Sequence, residues 1–272
     1  IGFKGNYEGE ITKTYRIFEK DTLIPMSSLK VSGIKSSLAY TGSEVLQNLE
    51  GIKITYGKTL LVRGRDYTVS YQNNIDAGIA YIIFEGTQNL SNDDAFAGTL
   101  TKSFKITPVS VSNKNTSVEG LSASYTYTGQ AIKPSPVFKY GDKTLVEDKD
   151  YTVSYKNNIK AGKATITLKG INNYKGTINK TFAIGKIDLS KADVSLDASY
   201  RYEKGGSKPL PVITYDGKTL VYNNDYTLSY KNNTKLGTAT LTIKGKGNYA
   251  GTVTKSFVIL SKPIDDDSIT VR

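Results

Sequence analysis

One nine-residue string occurs three times in this chain of 272 residues. Asp66 to Asn74 reads DYTVSYQNN, Asp150 to Asn158 reads DYTVSYKNN, and Asp225 to Asn233 reads DYTLSYKNN. A catalytic motif is needed once, so a motif carried in every period belongs to a unit that folds several times over. The copies lie 84 and 75 residues apart, and other landmarks keep the same order. Tyr40-Thr41-Gly42 and Tyr127-Thr128-Gly129 open two copies, and the third keeps only Tyr202. A central glycine follows as Gly78, Gly162 and Gly237, then a turn as Asn173-Tyr174-Lys175-Gly176 and Asn248-Tyr249-Ala250-Gly251. Each copy closes on an aromatic residue, Phe104, Phe182 or Phe257. Tyr127 to Phe182 matches Tyr202 to Phe257 at a constant shift of 75 without a gap.

The same landmarks set the expected boundaries. Gly5-Asn6-Tyr7-Glu8-Gly9 and Thr12-Lys13-Thr14-Tyr15 match the final turn and strand of the third copy. Residues 1–18 therefore read as the tail of a preceding repeat, 19–106, 107–185 and 186–260 as three repeats, and 261–272 as a linker or the start of a further module. The chain reads as a slice of a longer protein, its repeats arranged end to end and each contacting mainly its neighbours.

Within a repeat the pattern is that of strands. Tyr151, Val153 and Tyr155 alternate with Thr152 and Ser154, and Ala164, Ile166 and Leu168 alternate with Thr165 and Thr167. Such a period of two marks half-buried strands rich in residues that favour a pleated surface. The closing strand places Ile178, Lys180, Phe182 and Ile184 on one side. Asp216-Gly217 suits a tight hairpin requiring positive φ, and Asn157-Asn158 tolerates the left-handed region. Pro134, Pro136, Pro209 and Pro211 donate no ladder hydrogen bond, which predicts a sheet edge. No window carries a helical stripe. The expected fold is all-β: a tandem array of small antiparallel immunoglobulin-like β-sandwich domains of about seven strands each. Core candidates are Tyr67, Val69, Tyr71, Ala80, Ile82 and Phe104 with their counterparts. On this reading the tyrosines of the nonamer pack, and its Asp and Asn residues fix the start and the exit turn of a strand. The competing reading makes the nonamer a ligand platform.

Composition removes most chemistry. The chain has no His, no Cys and no Trp, and a single Met. That excludes a Ser-His-Asp triad, a Cys-His dyad and a zinc site built on His or Cys. No Gly-rich phosphate cradle is present, and the one recurrent acid (Asp66, Asp150, Asp225) is spread over three repeats rather than paired for glycoside hydrolysis. No catalytic residue, cofactor or metal site is expected. Thirty-six basic residues oppose 25 acidic ones, for a formal charge of +11. Nearly all are Lys scattered through every repeat, which is a solvated surface rather than a nucleic-acid face. Anionic cell-wall polymers are a candidate partner for such a charge. The expected protein is monomeric, with neither nucleic-acid binding nor membrane insertion.

Three local features stand apart. Lys13, Lys102, Lys180 and Lys255 fall in the apolar phase of the closing strand, and are expected to pack their stems there without an isopeptide cross-link. Asp265-Asp266-Asp267 follows a proline and reads as a solvated linker, with calcium ligation as the alternative. Gly86 to Gly98 spans 12 residues where Gly170 to Gly176 and Gly245 to Gly251 span six. This longer loop is the expected place for a specific contact, through Gln88, Asn89, Asn92, Asp93 and Asp94. Phe96 within it replaces the turn tyrosine as an anchor on its own domain.

The stretch YTGQAIKPSP…YGDKTLVEDKDYTVSYKNNIKAGKATITLKGINNYKGTINKTFAI resembles the tandem bacterial immunoglobulin-like repeats of clostridial, Gram-positive gut bacterial, cell-surface proteins. The resemblance covers residues 1 to about 260; the long loop of the first copy and the missing Tyr-Thr-Gly of the third depart from it. It implies an extracellular, cell-surface or secreted location and a non-catalytic role as a stalk that presents a distal domain. An adhesin for a host protein or glycan and a carbohydrate-binding module are the alternatives. Coplanar exposed tyrosines would favour sugar, and buried ones the stalk.

Overall fold

The computed structural model describes residue 13 and residues 23–89, 95–112 and 114–263. The rest of the expected preceding repeat, residues 90–94 of the long loop and the Asp265–267 run lie outside the described residues. The chain divides into two compact units. One comprises Ile1–Asn113, Val146–Thr152 and Lys169–Gly176; the other comprises Lys114–Leu145, Val153–Leu168 and Thr177–Arg272. The first repeat lies in the former and the third in the latter.

The first repeat is built from β1 (Ile24–Pro25), β2 (Lys30–Ser32), β3 (Ser37–Ala39), β4 (Lys53–Tyr56), β5 (Thr59–Leu60), β6 (Tyr67–Gln72), β7 (Gly78–Gly86), β8 (Phe96–Ala97) and β9 (Thr99–Thr107). They make a four-stranded sheet in the order β3-β9-β7-β6, a three-stranded sheet β2-β4-β5 and a short pair β1-β8. The same nine-strand series recurs from Val109 to Gly185 and from Ile187 to Leu260. Among the described residues the only helical turns are the 3-10 turns Met26–Ser28, Leu49–Gly51 and Leu189–Lys191. The protein is an all-β tandem array of small β-sandwich repeats.

Three details differ from the sequence reading. Each repeat has nine strands rather than about seven, since two-residue strands such as β1, β5 and β8 are too short to show alternation. The sheets are mixed: β6-β7 and β7-β9 are antiparallel, whereas β1-β8 and β3-β9 are parallel. Alternation of side chains is the same in both directions, so the pattern could not separate them. The prolines also do not form an edge strand. Pro134 and Pro136 lie in an unpaired segment before the strand Val137–Tyr140, and Pro209 and Pro211 before Val212–Tyr215. Each of these strands is the centre of its three-stranded sheet. Two missing donors at alternate positions leave no ladder to join, even at an edge.

The sandwich follows from what the strands bury. Ala80, Ile82 and Phe84 of β7 are fully buried, as are Ala239, Leu241 and Ile243 at the matching positions of the third repeat. There they join Phe257 of the closing strand and Ile213 of the three-stranded sheet in one cluster, so the two sheets share a core. Of the expected core, Tyr67, Ala80, Ile82 and Phe104 are buried, and Val69 and Tyr71 half-buried. Lys102, Lys180 and Lys255 share the phase of the closing phenylalanine but are exposed, and so is Lys13. The Asp-Gly hairpin forms as expected, with φ of 50° at Asp216 and 71° at Gly217.

Burial raises the phenol pKa of Tyr67, Tyr71, Tyr226, Tyr230 and Tyr249 above the usual tyrosine value. The folded state therefore holds these protons more tightly than the unfolded chain. Their contribution is complete below the unfolded value, about pH 10, and is lost as pH rises from there through the folded values. Stability is expected to fall steeply above about pH 10. Followed one by one, the ring resonances of these five tyrosines should report ionisation together with loss of the β-sheet circular dichroism rather than before it.

Candidate functional site

The Asp, Tyr and Asn residues of the nonamer have structural tasks. The aspartates are nearly inaccessible, at 3, 1 and 7 % exposure for Asp66, Asp150 and Asp225. Their Oδ2 atoms accept the backbone N–H of Val62, Val146 and Val221 at 2.7, 3.0 and 2.9 Å. Each aspartate's own N–H returns to the carbonyl of that same valine. A carboxylate thus closes the loop that leads into the strand by accepting the amide four residues before it. In the first repeat Arg65 adds a fork on Asp66, with two contacts of 2.8 Å.

The first tyrosine is buried in the core, and the second ties down the proline segment. Tyr155 donates to the Pro134 carbonyl at 2.6 Å and Tyr230 to the Pro209 carbonyl at 2.7 Å. In the first repeat Gln47 takes the proline's place, and its N–H donates to Tyr71 Oη at 3.1 Å. The bond persists with its direction reversed, because glutamine has the N–H that proline lacks.

The asparagine pair turns the chain out of the strand. Asn73, Asn157 and Asn232 have φ of 55°, 58° and 61°, a conformation asparagine tolerates. Asn158 and Asn233 are buried and donate to Ile132 and Ser207 carbonyls at 2.9 and 3.1 Å. Asn74 Nδ2 is buried without a partner.

Beyond the pair, the loop meets the next repeat. Ala77 N–H donates to Asn173 Oδ1 at 2.6 Å, and Asn173 Nδ2 donates to Asp76 Oδ1 at 2.7 Å, both within the first compact unit. In the second unit, Ala161 N–H donates to Asn248 Oδ1 at 2.9 Å. Ring edges accompany both bonds, Tyr40 to Tyr174 at 5.7 Å and Tyr127 to Tyr249 at 6.2 Å between centroids. The Asn-Tyr turn of one repeat therefore plugs into a socket made by the loop after the nonamer and the opening tyrosine of the repeat before it. The second junction leaves a cleft of about 320 Å³ between Tyr127–Gly129 and the hairpin at Asp216.

An Asn248→Ala variant is expected to speed amide exchange at Ala161 about tenfold, the worth of one net hydrogen bond, while the Ala239 amide in the core keeps its rate. Exchange measured residue by residue checks this.

The sequence-selected loop is only partly visible. Gln88 is exposed, with φ of 52°, and its N–H donates to the Phe96 carbonyl at 2.9 Å. Asn89 Nδ2 approaches the Arg65 carbonyl at 3.5 Å. Asn92, Asp93 and Asp94 lie outside the described residues. Phe96 is buried, with its ring edge-on to Tyr56 at 6.1 Å. Ala95 and Phe96 occupy the positions of Asn173 and Tyr174, so the long loop is the first repeat's version of the docking turn, without its asparagine. The junction residues Asn173, Asn248, Ala77 and Ala161 were not selected from sequence, although the turn and the glycine following each alanine recur as landmarks.

Among the described residues no cluster of acidic side chains could hold a metal ion, and no helix is long and apolar enough to cross a membrane. Only Tyr56 and Tyr222 among the described tyrosines are exposed, and they belong to different repeats.

No family model matches the chain, and no curated protein does. Among solved structures, the chain is similar to the protocadherin gammaB7 EC3-6 cis-dimer structure, at 9 % identity over 86 % of this chain and 73 % of that one, with a TM-score of 0.23. A likeness that faint carries no weight for function.

Proposed function

We propose that the chain is a tension-bearing, non-catalytic stalk segment of a bacterial cell-surface or secreted protein, with its repeats bounded at 19–106, 107–185 and 186–260. The observation that supports this most is that the first and the last strand of every repeat each lie in a parallel pair, the first with the eighth and the last with the third. In the first, β1 lies parallel to β8 and β3 parallel to β9, so chain enters beside Phe96 and leaves at Thr107, opposite Ala39. Val109–Ser110 and Ser124–Thr126 pair in the same way in the second, and Ile187–Asp188 and Ser199–Arg201 in the third. Opposite pulls on the ends slide parallel strands along each other, and their hydrogen bonds must fail together. A hairpin pulled at its open end instead loses its bonds one at a time. Resistance of this kind is kinetic, set by the unfolding rate under force.

Pulling single molecules from both ends tests the proposal. The expected trace shows three separate unfolding events, each releasing about 250–320 Å of chain, the extended length of one repeat. Gradual extension without such events would overturn it.

The net charge of +11 suits a soluble monomer held near an anionic wall polymer. A second reading, adhesion to a host glycan or protein, rests on the doubled length of the loop carrying Gln88, Asn89, Asn92, Asp93 and Asp94. Shortening that loop to the Ile171–Lys175 pattern and measuring binding to mucins, glycans and immunoglobulins decides whether it adds a contact. Buried and half-buried tyrosines argue against a sugar platform.

A further inference from the structure

The third repeat presents a socket like the one that is filled in each of its two predecessors. Tyr202 N–H donates to the Leu260 carbonyl at 2.9 Å, as Tyr40 does to Thr107 and Tyr127 to Gly185, which places the opening tyrosine as in the other copies. Asn232 turns with φ of 61° and Asn233 locks the loop onto Ser207. The amide that follows is that of Leu236, at the position of Ala77 and Ala161. Among the described residues no group accepts from the Leu236 N–H and no ring contacts Tyr202, while the Leu236 side chain is 60 % exposed.

We infer that this face, formed by Tyr202, Asn233, Lys235 and Leu236, is a docking site for a further repeat of the same kind, recognised through an Asn-Tyr turn like Asn248-Tyr249. Two filled sockets in this chain define what fits. An asparagine Oδ1 accepts the free amide, and a tyrosine edge covers the opening tyrosine. Lys235 stands where the second repeat has Lys160, so the Asn248 type of plug, held by one hydrogen bond, is the closer template than the Asn173 type, which also uses Asp76. Glu203 and Lys204 replace the Thr-Gly that faces the partner's hairpin at the second junction. A hairpin such as Asp216-Gly217-Lys218 offers them charges of both signs. Leu236 in place of alanine sets a larger exposed apolar side chain beside the amide to be capped. The inference rests on the junction geometry and not on the tension reading, so either can fail alone.

The test extends the chain with a second copy of residues 186–260 directly after Leu260 and follows amide exchange at Leu236. In the unextended chain Leu236 should exchange about tenfold faster than Ala161, because it lacks the one net hydrogen bond. In the extended chain Leu236 should slow about tenfold, and Asn248→Ala within the appended copy should restore the fast rate. Slow exchange at the appended copy's Leu241 reports that it has folded. Unchanged fast exchange at Leu236 beside a folded appended repeat would overturn the inference. So would slowing that survives the Asn248→Ala change. If the appended third repeat does not fold, residues 108–185 take its place with Asn173→Ala as the control.

Discussion

Phe257→Ala is expected to destabilise the third repeat by about 3–5 kcal/mol, the usual cost of emptying a buried aromatic site. Phe257 is 1 % exposed and takes the edge of Tyr200 at 5.4 Å, with rings at 89°. It sits where the two sheets meet, in one cluster with Ile213, Leu241 and Ile243, so truncation leaves a void that both sheets border. A unit of this size holds only about 4–11 kcal/mol in total. The loss is therefore about a quarter of the stability or more. Because repeats in an array are stabilised by their own core plus nearest-neighbour terms, the effect should remain local. Denaturant titration should show one early transition with the first repeat's core amides, such as Ile82, unchanged. Phe104→Ala should give the mirror result, with the first repeat melting early. If either change lowered the stability of all repeats equally, the array would be a single cooperative body.

Gly245→Ala is expected to cost the third repeat about 1–3 kcal/mol through overpacking. A Cβ at this position would lie 2.7 Å from the Ala250 amide nitrogen and 2.8 Å from its carbonyl carbon. These are backbone atoms, and no side chain can rotate away to make room. The turn must shift, and with it the parallel pair of Ile187–Asp188 with Tyr249–Ala250. Gly170 stands in the same place in the second repeat, with Lys175 N at 2.9 Å. The displaced turn carries Asn248, so Ala161 should lose its exchange protection as well. Gly217→Ala is the control. Its cost of about 1–2 kcal/mol comes from a φ of 71° that alanine resists, with no atom close enough to clash. The Ala161 amide should stay protected in that variant. Thermal melts combined with exchange at Ala161 separate the two causes.

Much of this was legible in the residues. Strand character is local: alternation along Tyr151–Lys156 or Gly162–Gly170 needs no partner to be read, because a pleated chain puts successive side chains on opposite faces. The turn chemistry of Asp216-Gly217 and Asn157 is local too, set by which residues accept positive φ. Three copies of the same landmarks gave the repeat and its core positions, Ala80, Ile82 and Phe104 among them. The absence of His and Cys excluded a Ser-His-Asp triad, a Cys-His dyad and a zinc site built on those residues. What depends on partners far along the chain was not readable. The direction of β3 against β9 is a matter of topology, since 68 residues separate Ser37 from Lys105 and either pairing satisfies the same alternation. The proline segments showed only what they cannot do. Their actual place, as acceptors for Tyr155 and Tyr230, came from the fold. The junction was hidden for the same reason. Asn173 reads as an ordinary turn residue, and it acquires a task only when folding carries it to the amide of Ala77, 96 residues earlier in the chain.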